Sequence, residues 1–93
     1  MISLDASAWR SPEDLYSALL PQLGAPEWHG HNLDALDDSL GAGGINSVEP
    51  PFRVEVAGAE KLPEPMRKFL SEVARVFADV RAEWHKDIDF QLT

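Results

Sequence analysis

Three consecutive stretches change hydrophobic period in turn, and this narrows the choice of folds more than any other feature of the chain. Phe52-Arg53-Val54-Glu55-Val56 alternates apolar with charged residues, which is how a strand reads. Between Met66 and Trp84, residues Phe69, Leu70, Val73, Val76, Phe77, Val80 and Trp84 recur with a period of about 3.6, so the spacing predicts a long helix with a wide apolar stripe. Ile88, Phe90 and Leu92 then alternate with Asp87, Asp89 and Gln91. Strand, helix and strand in that order favour parallel pairing through a crossover.

The preceding residues supply the other elements. Met1 to Ala6 reads as a short strand with Ile2 and Leu4 on one face. Ser11-Pro12-Glu13-Asp14 is a helix start: a capping residue, a proline at the first helical position, and two acids at the positive end of the dipole. Leu15, Leu19, Leu20 and Leu23 continue it, Pro21 is expected to bend or shorten it, and Gly24 closes it. After a loop from Ala25 to Gly30, Asn32 caps a second helix whose Leu33, Leu36 and Leu40 are buried and which ends at Gly41. Gly41 to Pro51 and Lys61 to Pro65 read as irregular. The order is β-α-α-β-α-β. The expected fold is α/β, a small three-stranded parallel sheet packed with helices, in one domain over residues 1–93. Charged alternation in the later strands leaves at least one sheet face partly uncovered.

Composition excludes several classes of function. An apolar share of 44% suits a globular protein rather than a disordered one. There is no cysteine, hence no disulfide, thiol nucleophile or thiolate metal site, and a reducing cytoplasm is the expected location. The first ten residues lack the basic and apolar regions of a signal peptide, and no apolar run is long enough for a bilayer. The net charge is −8, unevenly placed. From Ser11 to Phe52 there are seven acids and no Lys or Arg, whereas Arg53 to Thr93 holds seven bases against eight acids. Such a field repels nucleic acid and anionic lipid and attracts a basic partner. A solvated acidic face that only aids solubility is the plain alternative.

The acidic half centres on Pro26 to Leu40, PEWHGHNLDALDDSL. Asp34 and Asp38 are four apart, so they share a helix face, with Asp37 beside them and no base to neutralise them. Like charges at that spacing cost about 0.2–0.5 kcal/mol per pair. Each aspartate could take an arginine in a charge-assisted contact. Trp28 and His29 precede the helix on a turn pinned by Pro26 and Gly30, which suits recognition of a cationic cleft. Of these two, the large Trp28 leans toward the core and His29 toward a partner. Histidine gains charge near pH 6, so binding that uses His29 or His31 would weaken as pH falls. On the long helix Asp79 and Glu83 are also four apart and should face solvent, with Arg75 and Arg81 near enough to offset them.

A second chemistry is open. His29, His31, Asp34 and Asp38 are ligand types for zinc, which would make the chain a metal-dependent hydrolase, although an HxH spacing alone is a weak motif. Other catalytic patterns are missing: no triad spacing, no paired histidines on a helix, and a Gly41-Ala42-Gly43-Gly44 stretch that follows a helix where a phosphate cradle would precede one. That stretch reads as a flexible connector. A third reading is an acidic interaction or immunity module for some other basic toxin.

The segment PEWHGHNLDALDDSL resembles the central run of the barstar family, through Pro26, Glu27, Trp28, Gly30, Asn32, Leu33, Asp34, Ala35, Leu36 and Asp38. The stretch Val76 to Glu83 looks like that family's last helix. The resemblance implies a small parallel sheet with packed helices and an inhibitor, not an enzyme, directed at a secreted barnase-like microbial ribonuclease. It implies a partner-binding set of Trp28, His29, Gly30, Asn32, Asp34, Asp38 and Asp79, with no cofactor and no metal. Asp38 would anchor in the enzyme's phosphate site, Asp34 would meet a second basic group, and Asp79 would add an acid from the last helix. The free protein is expected to be a monomer that binds neither nucleic acid nor membrane. His29, His31 and Asp37 depart from the family's residue types, so a ribonuclease other than barnase is a candidate target.

Overall fold

The computed structural model describes residues 1–42 and 45–93. Gly43 and Gly44, half of the expected flexible connector, lie outside the described residues. Strand β1 (Ile2–Asp5) leads to helices α1 (Pro12–Leu23) and α2 (Leu33–Ala42). Strand β2 (Phe52–Ala57), a 3-10 turn at Ala59–Lys61, helix α3 (Glu64–Trp84) and strand β3 (Ile88–Leu92) complete the chain. The sheet has the order β1-β2-β3 and both pairings are parallel. The fold is thus α/β with three helices and a three-stranded parallel sheet, as the periods of the sequence predict.

Register explains the alternation. Ile2 lies beside Val54 and Leu4 beside Val56, while Val54 lies beside Phe90 and Phe52 beside Ile88. These side chains all point to the helical side of the sheet, because neighbouring parallel residues share a face. Val54 and Val56 are fully buried there. The opposite side carries Ser3, Asp5, Arg53 and Gln91, all exposed, so one sheet face meets water directly. The core between sheet and helices takes Leu15, Leu19 and Leu23 from α1, Leu36 and Leu40 from α2, and Leu70, Val73, Phe77 and Val80 from α3. Phe77 lies at its centre, its ring 5.1 Å from that of Phe90 and 6.4 Å, edge-on, from that of Phe52.

Local details depart from the sequence expectation in instructive ways. Helix α1 runs past Pro21 to Leu23 and closes at Gly24, whose φ is 69°. A proline this near the C-terminal end leaves only one carbonyl of the helix, that of Ser17, without its usual partner. At the start of α1 the Asp14 carboxylate is the visible cap. Its Oδ2 accepts the N–H groups of Arg10 at 2.7 Å and Ser11 at 3.2 Å. Helix α3 begins before Met66, because Pro65 falls in its first turn, where no N–H is needed. Trp84, the last member of the apolar stripe, is not in the core: it is 55% exposed. Among the described residues no helix is long and apolar enough to cross a membrane.

Candidate protein-binding site

Helix α2 is held by its apolar side. Leu36 is fully buried and Leu40 nearly so, while Asn32 caps the start, its Oδ1 accepting the Ala35 N–H at 2.7 Å. With that side fixed, the helical repeat directs Asp34, Asp37 and Asp38 outward, and all three are exposed. None of them is ion-paired with a base among the described residues. Ion pairs of the described residues include His31 with Glu13, and Arg53 and Arg81 with Asp89. Arg81, which the sequence placed near Asp79 and Glu83, turns instead to Asp89, with Nη1 3.4 Å from Oδ1. Asp79 and Glu83 remain exposed on α3 as expected.

The turn before α2 reverses one expectation. Trp28 is 75% exposed, whereas His29 is only 5% exposed. His29 is buried because it has internal partners that a tryptophan could not satisfy. Its Nδ1 lies 2.7 Å from the Gly30 carbonyl and must donate to it, since a carbonyl only accepts. Its Nε2 lies 2.9 Å from the Ser39 hydroxyl of α2. That hydroxyl is itself buried, 3.1 Å from the Leu36 carbonyl and 3.3 Å from Asn46 Nδ2. His29 is therefore corrected from a partner-facing residue to an internal bond between the turn and the helix. Gly30 fits between them because a Cβ there would stand 2.9 Å from Asn32 Nδ2 and 3.2 Å from Ala35 Cβ. The result is an outward tryptophan on the turn and three outward carboxylates on the helix, the two segments joined through buried polar contacts.

A family model described as Barstar (barnase inhibitor) matches residues 1–93, the whole chain. The chain belongs to the barstar family. Members of that family are inhibitors of barnase-type ribonucleases rather than enzymes. Among the residues that carry the family likeness, Trp28, Asn32, Asp34 and Asp38 are exposed on one turn and one helix, and Gly30 is half-buried between them. Asp79 is exposed on α3, a separate element.

The donor set of the hydrolase reading does not assemble. Both ring nitrogens of His29 are engaged inside the protein. His31 turns away to α1, its Nδ1 2.7 Å from Glu13 and its ring stacked on Tyr16 at 5.7 Å. Among the described residues no three His, Asp or Glu side chains gather as a metal site would require. Tyr16 itself is held above its ordinary pKa, first by burial and then by the nearby charges of Glu13 and Glu72.

The reversal of Trp28 and His29 had a signal in the sequence. Ser39 falls on the helix side flanked by Leu36 and Leu40, and a buried serine needs a polar partner. The preceding turn offers a histidine able to reach it. Trp84 carried a weaker signal. It is the last residue of its helix, where the core has already ended.

Proposed function

We propose that the chain inhibits a basic microbial ribonuclease of the barnase type by filling its cationic active-site cleft and performs no chemistry of its own. The observation that carries this reading is the state of α2 in a barstar-family chain. Asp34, Asp37 and Asp38 stand in water with no base of the described residues to neutralise them. On this reading Asp38 takes the place of a substrate phosphate, Asp34 meets a second base, and Asp79 adds a contact from α3. Trp28 covers the rim of the cleft, and the small Gly30 lets the enzyme approach the turn closely. Asn32 holds the start of the helix and offers its amide outward. His29 contributes from inside, by tying the turn to α2. The inhibitor is a free monomer kept in the cytoplasm of the cell that makes the nuclease, where a net charge of −8 keeps copies apart and draws in the basic enzyme.

The test is titration of the chain against a set of barnase-type ribonucleases, reading RNA cleavage. Stoichiometric inhibition by the native chain is expected, with Asp38→Ala strongly weakened. An Asp38→Ala chain that inhibits as well as the native one would remove the site assignment. A native chain that leaves all the ribonucleases active would point to another basic toxin, which capture from the producing cells would reveal.

A further inference from the structure

Trp84 is one of the large apolar side chains of the described residues that the core leaves out. It closes α3, where His85 at φ 55° turns the chain toward β3. Its indole rests on α2. A Cβ added to Gly41 would stand 2.9 Å from Trp84 Nε1, 3.1 Å from Cε2 and 3.2 Å from Cδ1. Gly41 is thus buried beneath the ring, while 55% of the tryptophan remains in water.

Position along α2 gives this contact its meaning. Residues three, four and seven apart on a helix share one side. Asp34, then Asp37 and Asp38, then Gly41 therefore form one continuous row. The row runs alongside the face that Leu36 and Leu40 commit to the core, with the half-buried Leu33 at the border. Trp84 stands over the fourth place in that row, beyond the last carboxylate. Trp28, 75% exposed, precedes the first in the chain, on the turn that leads into α2. The far end of the acidic row is thus covered by an indole that another element, α3, carries. Covering a glycine needs a far smaller side chain than indole, and a tryptophan left half in water forgoes much of its burial energy.

We propose that Trp84 is a contact residue of the inhibitory surface, its exposed ring face stacking on an arginine or lysine side chain at the rim of the basic nuclease cleft beside the group that meets Asp38. The partner's chemistry follows from the row it must approach. A cleft that attracts three adjacent carboxylates is lined with cations, and a cation over an indole face is favourable, most of all when desolvated. Tryptophan also anchors interfaces well because it gives large contact area for little lost freedom. The inference rests on the inhibitor reading above and adds a residue to it.

The experiment uses the full chain and the barnase-type ribonuclease that the native chain inhibits most tightly. Trp84→Leu keeps an apolar cover over Gly41 and loses the aromatic face, whereas Trp84→Phe keeps a ring. Affinity is expected to fall about 3- to 30-fold in Trp84→Leu, the factor of a desolvated cation–π contact. Trp84→Phe should lie between it and the native chain, with both variants folded by circular dichroism. Equal binding by both variants and the native chain would overturn the proposal while leaving the inhibitor reading intact. A native chain that inhibits none of the ribonucleases would overturn both. A Trp84→Leu effect confined to self-association in sedimentation would assign the ring to a second copy and overturn the proposal. A measurement on the unaltered sequence decides the matter if the variants fail to fold. The indole N–H signals of the 15N-labelled chain come from Trp9, Trp28 and Trp84. Those of Trp28 and Trp84 should move on adding unlabelled nuclease, and a stationary Trp84 signal would refute the contact.

Discussion

Two groups of surface carboxylates in this protein are treated in opposite ways. On the open side of the sheet, Asp89 is heavily engaged. Arg81 approaches it at 3.4 Å and Arg53 at 3.8 Å, and its oxygens also accept the Phe90 N–H at 3.0 Å and the Gln91 amide at 2.8 Å. On α2, Asp34, Asp37 and Asp38 crowd one helix side, and no cation of the described residues forms an ion pair with them. The first arrangement serves the fold: it ties β2, β3 and α3 together at one point. The second works against it, since like charges three and four apart destabilise a helix. On the proposed inhibitor reading, these acids are kept at a cost in stability because a basic partner neutralises them.

The sharpest way to break this contrast is Asp38→Ala. Binding to the target nuclease should weaken by about 2–5 kcal/mol, because a cationic group of the enzyme would be left buried and unpaired. Truncating one partner of a buried interfacial charge pair generally costs about 2–5 kcal/mol or more, and coupling across the barnase–barstar interface reaches about 7 kcal/mol. Stability in urea should hold or rise by about 0.2–0.5 kcal/mol as repulsion on α2 is relieved. Association should also slow and lose part of its salt dependence, because the steering field is weaker. Loss of stability together with loss of binding would mean that the carboxylate serves the fold after all. Next in size for binding is the Trp84→Leu effect, which extends the comparison from charge to the aromatic end of the same surface.

The fold was legible in the sequence because burial on one side leaves a period. Phe52 to Val56 and Ile88 to Leu92 alternate since each strand has one wet face, and the α3 stripe marks the side that meets the sheet. The carboxylates of α2 were legible for the same reason: once Leu33, Leu36 and Leu40 are assigned inward, the helical repeat sends Asp34 and Asp38 outward. Periodicity has nothing to say about an irregular turn. Whether Trp28 or His29 faced in depended on which could satisfy Ser39, a contact across ten residues. Trp84 was misread because a period carries no record of where the core stops. At the end of α3 the neighbouring surface is the bare backbone of Gly41, which has room for a ring to lie across it but none to enclose it.

An intermediate effect should come from the internal bond between the turn and α2. Ser39→Ala leaves His29 Nε2 buried without its 2.9 Å partner. A cost of about 1–3 kcal/mol in folding stability is expected for such an orphaned group. Adding His29→Phe to Ser39→Ala should cost less than the two single losses together, because both sides of the contact then become apolar. Binding should show the consequence as faster dissociation with little change in association, since no charge is altered. Additive losses in the double-mutant cycle would show that the two side chains act separately and that the turn is held by other contacts.

The engaged acids give the smallest effects, and their signature is in stability alone. Asp89→Asn should lower stability by up to about 1 kcal/mol, as expected for partly exposed ion pairs, and leave inhibition and its salt dependence unchanged. Asp5 gives a finer test because its role depends on pH. Its Oδ1 accepts the Ser7 N–H at 2.9 Å, and this bond, with a second from the Ser7 side chain, holds the carboxyl below its ordinary pKa. A carboxyl whose pKa is depressed on folding stabilises the protein above the unfolded-state value and loses that contribution as pH falls through the folded-state value. Asp5→Asn keeps an oxygen that can accept the Ser7 N–H but removes the charge. In urea titrations the native chain's small advantage over Asp5→Asn should therefore be present at pH 7 and shrink below about pH 4, where ordinary aspartates begin to protonate. An advantage unchanged at low pH would trace it to the shape of the turn instead of its charge. Inhibition should be indifferent to Asp5→Asn throughout, because this acid is already used by the fold and α2 keeps its own.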